Sequence, residues 1–375
     1  MSPSISAERL LLGLEALAAI GGRSDGGVDR LAGSEADREG RVWVADRMRE
    51  AGLAAQHDAV GNVVGRPPGP APWLLLGSHT DTVPAGGRLD GAYGVVAALE
   101  VARVLRHPRL AVVDFADEEG AAGGGGLTGS TALAVSPAMS DFSAYLELHI
   151  EQGPRLEADG LALGVVEAIV GIDRWDARWL GTANHAGTTP MEMRRDAGAA
   201  AGWLMFRLRT LLEEVDPQMV GNIGELRLLP GAPNVVPGEA RLVVELRAAR
   251  RATLDSAAAA LREAAAGAAG EFGCSFEMTL RSAIEPSPMD AGVGAALAAA
   301  CELSGRGWRP LVSGAGHDAG VMARKVPAGM LFVPSRNGVS HNPAEHTDDE
   351  LLVLGAQTLL EGAVKILSTR AKPST

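Results

Sequence analysis

A chain of 375 residues, at about 150 residues per domain, has room for two or three domains and at least one sizeable core. Apolar residues make up 46% and charged residues 21%, which excludes wholesale disorder. The net charge of -12, from 34 basic and 46 acidic residues, opposes attraction to phosphate backbones and anionic lipid, so neither nucleic acid nor a membrane is an expected partner. Cys274 and Cys301 are too few for a disulfide framework and lack CxxC spacing, which fits a reduced cytoplasm.

Residues 10–20 are apolar but interrupted by Glu15 and preceded by Glu8 and Arg9, so they read as an amphipathic first helix rather than a signal peptide. No later stretch reaches the roughly 18 uninterrupted apolar residues of a membrane span. Residues 34–51 carry Val42, Ala45, Met48 and Ala51 at helical spacing, with Gly52 as the stop. Strands are expected at 62–65, 73–76, 111–115 and 145–150, with a helix of small residues at 91–105. Continuous apolar strands separated by helices indicate an α/β sheet buried on both faces.

From residue 172 the pattern changes. A half-exposed strand at 172–180 precedes a helix opened by Thr189-Pro190 and running to Val215. Strands at 219–229 and 240–247, a helix at 254–272 and a strand at 275–281 follow. The order β-α-β-β-α-β is the split βαβ, ferredoxin-like arrangement. Residues 172–286 are therefore expected to form a small domain inserted into a discontinuous one made of 1–171 and 287–375.

The residues able to carry chemistry sit just past the apolar strands. His79 and Asp81 follow the strand ending at Leu76, and Asp90 precedes the helix of small residues. Asp117, Glu118 and Glu119 end another strand, His149 ends a fourth, and His341 follows the strand at 330–333. In open α/β sheets ligands bind at the carboxyl ends of strands. Three histidines with several carboxylates make a ligand set for zinc or another borderline divalent ion, and one larger than a tetrahedral site needs. Two metals sharing a carboxylate is the economical inference.

These residues stand in segments that together resemble the dinuclear-metal amidohydrolases of the hydantoinase/carbamoylase family, which includes N-carbamoyl-L-amino acid hydrolases, β-ureidopropionase and allantoate amidohydrolase. The resemblance runs from about Gly33 to Thr347 through GSHTDTVPAGGRLDGAYGV, DEEG, ELHIEQGP, HAGTTPMEMRRDA, PNVVPGEARLVVELR, SGAGHDA and FVPSRNGVSHNPAEHT. It implies a zinc-peptidase-like catalytic domain in which His79 and His149 hold one metal, Glu119 and His341 the other, and Asp90 bridges them. Glu118 would be the general base, and Asp81 would orient His79 through its other ring nitrogen. In the inserted domain it makes His185 the donor to the oxyanion and Asn234 and Arg247 a substrate-binding pair, Arg247 for a carboxylate. Gln152 and His317 become further substrate-side residues.

The expected reaction is hydrolysis of a linear ureido or amide C–N bond in a small acid with a free carboxylate, foremost an N-carbamoyl-L-amino acid. Allantoate is the alternative substrate, followed by acylamino acids or dipeptides, and a metal-binding relative without catalysis is the reading from another class. The ligand types admit zinc, manganese, cobalt or nickel, and the resemblance implies a cytoplasmic homodimer. Two departures from the family pattern flank the site, namely the glycine run 123–126 after DEEG and a shortened segment at 136–141. Both bear on pocket shape and leave the ligands untouched.

Overall fold

Side chains along the central strands alternate between two cores, which sets the layers of the larger unit. Leu74, Leu76 and Val112 join one buried cluster, while Leu75, Ala111 and Val113 join the other, as the two-residue period of a strand requires. The computed structural model describes residues 3–121 and 123–369, and Ala122, at the start of the glycine run, lies outside them. The chain divides into two compact units, one built from the residues up to Ile169 with those from Pro288 onward, the other from Val170–Ser287.

In the first unit the neighbouring strands Leu110–Phe115, Trp73–His79, Phe142–Ile150 and Ala328–Val333 run parallel in that order. Val63–Arg66 pairs antiparallel outside the first, and Leu163–Ile169 antiparallel outside the last. All four parallel strands therefore bring their carboxyl ends to one edge of the sheet. Helices Ala7–Ala19, Glu35–Glu50, Ala92–Leu105, Ala291–Ser304 and Asp349–Thr369 supply one core, and Thr128–Val135 and Asp318–Met322 the other. Ser34 caps the second helix by accepting from Asp37 N at 3.0 Å. Helix Ala92–Leu105 is buried all round over its first eleven residues, which its small side chains permit. Helix Asp349–Thr369 is long and apolar enough to cross a membrane by length and composition, but Leu352, Leu359, Leu360 and Ile366 belong to this core. Segment 136–141 is a single 3-10 turn, Pro137–Asp141, with Met139 buried beneath it.

The second unit runs Gly171–Leu180, helix Ala197–Val215, Val220–Leu229, Glu239–Ala248, helix Arg251–Glu271 and Ser275–Ile284. Its sheet order is Ser275–Ile284, Gly171–Leu180, Glu239–Ala248, Val220–Leu229, antiparallel throughout. Ala240, Leu242, Val244 and Leu246 face the two helices. Arg174–Glu245, Arg178–Glu239 and Arg281–Asp176 pair elsewhere on the sheet, and such half-exposed pairs add little stability.

The first helix of this unit does not open at Thr189-Pro190. A 3-10 turn, Met191–Met193, comes first, and the helix starts at Ala197. Arg194 holds the preceding loop by donating to Thr189 O and Ala186 O, and Asp196, in extended conformation, accepts from Ala199 N at 3.0 Å. Replacing this cap with alanine, Asp196→Ala, is expected to cost about 0.5–2 kcal/mol, and Asp196→Asn much less. Urea unfolding of both variants checks this, and equal loss in the two would remove the cap as the cause.

Candidate metal centre

Five side chains meet at the carboxyl edge of the parallel strands. His79 ends Trp73–His79, His149 lies one residue before the end of Phe142–Ile150, Glu119 follows Leu110–Phe115, and His341 follows Ala328–Val333. Asp90 comes from the turn that opens helix Ala92–Leu105. Gly91 has φ +61°, and a Cβ there would lie 2.4 Å from His79 Nε2, so no side chain fits between Asp90 and the helix. Asp117, Gln152 and His341, all beside this edge, also have positive φ, a conformation that costs about 1–3 kcal/mol and persists only where the surroundings impose it.

Asp90 is shared. Its Oδ1 is 3.1 Å from His149 Nε2 and 3.7 Å from His79 Nε2, and its Oδ2 is 3.1 Å from His341 Nε2. His341 Nε2 is also 3.3 Å from Glu119 Oε1. Two groups result, His79–Asp90–His149 and Asp90–Glu119–His341, each with ligand atoms within 4.8 Å of one another. The first is buried, and the second opens to solvent through His341.

The donor set fits divalent ions. His79 Nδ1 lies 3.0 Å from Asp81 O and His149 Nδ1 2.9 Å from Ile150 O. A carbonyl only accepts, so each Nδ1 carries the proton and each Nε2 turns a lone pair inward. Gly91 N donates to His149 Nε2 at 3.1 Å, which requires the same tautomer. Imidazole and carboxylate without thiolate suit zinc, manganese, cobalt or nickel. A third group, Glu147–His149–His317, is equally close. However, the Glu147 oxygens accept from Ser78 Oγ at 2.7 Å and Ala319 N at 2.8 Å, and His317 Nε2 lies 2.9 Å from Ser313 Oγ. It forms packing behind His149 rather than a cradle.

Without bound cations the electrostatics are dominated by crowded acids. Burial lowers the His79 imidazole, but Glu118, Asp81, Asp90 and Glu119 outweigh it and raise its pKa well above the usual value. Burial pushes the Glu118 carboxyl well up, and Asp318, Glu119 and Asp90 add to that against the opposing His79. Burial would also raise Asp90, yet the surrounding imidazoles of His149, His341 and His79 hold its carboxyl well below the usual carboxylate range. Burial and then Glu147 push Asp318 to about 8.

Asp81 and His317 each take a particular place beside the candidate ligands. Asp81 orients His79 with its main-chain carbonyl, while its carboxylate, 3.8 Å from His79 Nδ1, accepts from Glu118 N and Glu119 N at 3.2 Å each. Its side chain holds the backbone of the two glutamates instead. His317 is buried, with its ring 4.6 Å from that of His149 and 5.6 Å from that of Phe332, so it supports a ligand rather than lining an open substrate face. Gln152 is at the centre, where its Nε2 donates to Asp90 Oδ2 at 2.8 Å.

The remaining expected residues lie in the second unit. Strand Asn184–His185 pairs with Val235–Val236, and Ala186 N donates to Asn234 O at 2.9 Å, which brings His185 and Asn234 together. Gly187 N donates to His185 Nδ1 at 3.0 Å, which leaves the proton of the neutral ring on Nε2. Arg247, on Glu239–Ala248, donates from Nε to Glu245 Oε1 at 2.8 Å.

Sequence reasoning missed the polar groups behind the ligands. Arg41 is buried on helix Glu35–Glu50, 2.9 Å from Asp37, 3.4 Å from Asp114 and 3.8 Å from Asp81. Glu345 is buried beside Asp90. Single acids inside apolar strands, Asp114 and Glu147, were the available signal for this layer.

Hydrogen bonds to Asp90 and Glu119 raise the His341 pKa from 6.5 to about 10. A folded-state pKa above the unfolded one means that this imidazolium stabilises the fold fully below pH 6.5 and loses that contribution as pH rises through about 10. In chelator-treated protein, the stability gap between wild type and His341→Gln, read by urea unfolding, should shrink across that window. A gap independent of pH would remove the ion pair.

Comparison with known proteins places the chain in a family. Residues 75–364, which span all five candidate ligands, match peptidase family M20/M25/M40. An N-carbamoyl-L-amino-acid amidohydrolase from Pseudomonas sp. (strain NS671) is 32% identical, over 96% of this chain and 99% of the relative. Allantoate amidohydrolase from Bacillus subtilis (strain 168) is 34% identical, over 94% and 96% respectively. The crystal structure of an amidase (hydantoinase/carbamoylase family) from Burkholderia phymatum is 37% identical and superposes with a TM-score of 0.88, covering 98% of this chain and 99% of that one. With a matching fold and nearly full-length identity above 30%, the chain belongs to peptidase family M20/M25/M40 and, within it, to the hydantoinase/carbamoylase amidohydrolases.

Proposed function

We propose that this protein hydrolyses a linear C–N bond in a small ureido or amide acid, foremost an N-carbamoyl-L-amino acid, releasing amine, carbon dioxide and ammonia. The observation that carries the reading is the Asp90 carboxylate, which turns one oxygen to His79 and His149 and the other to His341 beside Glu119. In this reading His79, His149 and Asp90 hold one divalent ion, and Asp90, Glu119 and His341 the second. Two such ions, zinc or manganese with cobalt and nickel as alternatives, would lower the pKa of a water and offset charge on the carbonyl oxygen.

The chain's own residues divide the rest. Glu118 Oε2 is 3.7 Å from His79 Nε2, so it faces the first ligand group while its neighbour Glu119 faces His341. From there the Glu118 carboxylate would take a proton from water and return it to the leaving nitrogen. Gln152 steadies Asp90 and is the substrate-side residue of the first unit. His185 offers its Nε2 proton to the oxyanion, with Asn234 beside it in the turn before the paired strand. Arg247 is the proposed partner of the substrate carboxylate, where a planar guanidinium presents paired donors. His317 acts through His149. We read the second unit as a ferredoxin-like insertion, residues 172–286 of the sequence reading, and the working protein as a cytoplasmic homodimer.

Allantoate is the second substrate reading, favoured by a relative of that activity at 34% identity. Ammonia release by metal-loaded protein across N-carbamoyl-L-amino acids, β-ureidopropionate and allantoate, with amine release from acetyl amino acids and dipeptides, ranks the candidates. Activity on a ureido compound that a chelator abolishes is the expected result, and activity confined to acetyl or peptide substrates would overturn the ureido assignment. Glu118→Gln is expected to retain both ions and lose about 10²–10⁴-fold in kcat. Full turnover by that variant would remove Glu118 as the base.

A further inference from the structure

We infer that Glu345 is a positioning residue that locks the two halves of the metal centre together, an inference that rests on the dinuclear reading above. Asp90 and His341 come from segments far apart in the chain, and the sheet alone does not set their separation. Glu345 is buried between them. Its Oε1 accepts from Leu89 N at 2.9 Å and from Asp90 N at 3.1 Å, the latter across 255 residues of sequence. Its Oε2 accepts from Ser340 Oγ at 2.7 Å, next to His341. Ser340 Oγ in turn lies 3.3 Å from Asp90 Oδ2 and accepts from Gln152 Nε2 at 3.3 Å. One carboxylate thus fixes the main chain of the shared ligand with one oxygen and the segment of the His341 ligand with the other.

Close packing around this carboxylate supports the assignment. A Cβ at Gly87 would come within 2.0 Å of Glu345 Oε1, so the 87–90 turn wraps directly onto it and has no side chain to intervene. Glu345 N donates to Asn342 O at 2.9 Å, and Ala344 N donates to Asn342 Oδ1 at 2.9 Å. The turn bearing Glu345 is therefore itself held. Among the described residues no hydrogen bond joins Glu345 to an imidazole nitrogen, and it acts through the places of Asp90 and His341.

Manganese alone is the probe. Calorimetric titration gives the two affinities, and electron paramagnetic resonance reports whether the two ions are spin-coupled through a shared carboxylate. Wild type is expected to bind two coupled ions. Glu345→Ala should lose the coupled signal and bind the second ion about 10–100-fold more weakly, the usual effect of removing a group that orients a ligand. Glu345→Gln should retain coupling, because its amide oxygen still accepts from both main-chain N–H groups and its amide nitrogen donates to Ser340 Oγ. Coupling and affinity unchanged in Glu345→Ala would overturn the assignment, and so would equal loss in both variants, since that would make charge rather than geometry the cause. If Glu345→Ala does not fold by circular dichroism, Ser340→Ala reads the other arm, and two coupled ions at wild-type affinity in that variant would overturn the bracket. Absence of a coupled pair in wild type would instead sink the dinuclear reading on which the inference stands.

Discussion

A carboxylate buried among imidazoles is the constraint on which the rest of this structure depends. Asp90, Glu118 and Glu119 converge near His79 and His341, and buried negative charge is tolerated only when it is paired. In the absence of metal the histidines supply that pairing, which is why His79 and His341 are driven toward the protonated form. Divalent cations meet the same demand with more charge and leave the Nε2 lone pairs in use. The geometry thus suits a cation trap, and in the proposed reading ions held there would supply the activation of water.

Holding such a trap open requires rigidity from elements that are not ligands. Parallel strands deliver His79 and His149, and main-chain carbonyls set both rings. Asp81, Arg41 and Asp114 form a buried polar layer behind the two glutamates, with the Asp81 carboxylate gripping the backbone N–H of each. Glu345 does the corresponding work for Asp90 and His341. These groups are held by hydrogen bonds from outside the candidate ligand set, which orients them without any ion.

The second unit obeys simpler rules. Its strands alternate between a face packed on two helices and a face carrying arginine–carboxylate pairs. Burial of small and branched side chains from Glu239–Ala248 carries its stability, and exposed ion pairs contribute solubility more than free energy. His185 lies on a short paired strand and Asn234 in the turn just before its partner strand, a placement that suits residues presented to a ligand on a loop scaffold.

Strands, their order of helices and the ligand types were legible because they depend on local rules. Apolar runs such as 73–76 and 145–150 had to be buried strands, and His79, Asp90, Glu118, Glu119, His149 and His341 stood at their ends or in the adjoining turns. Where the structure went beyond or corrected the sequence reading, the deciding interaction was non-local or torsional. The helix expected at Thr189-Pro190 begins at Ala197 because Arg194 ties down the loop before it and Asp196 caps it. Asp81 orients His79 by its carbonyl rather than its carboxylate because the side-chain torsion follows the glutamate N–H groups, 37 and 38 residues away. His317, substrate-side by the resemblance, is buried with its ring packed against those of His149 and Phe332. The sequence by itself determined which atoms could bind cations and that parallel strands would carry them to one edge. Only the tertiary structure decided that both oxygens of Asp90 are shared and that Glu345 clamps its turn, because those contacts join segments 255 residues apart and exist only once the sheet has closed around them.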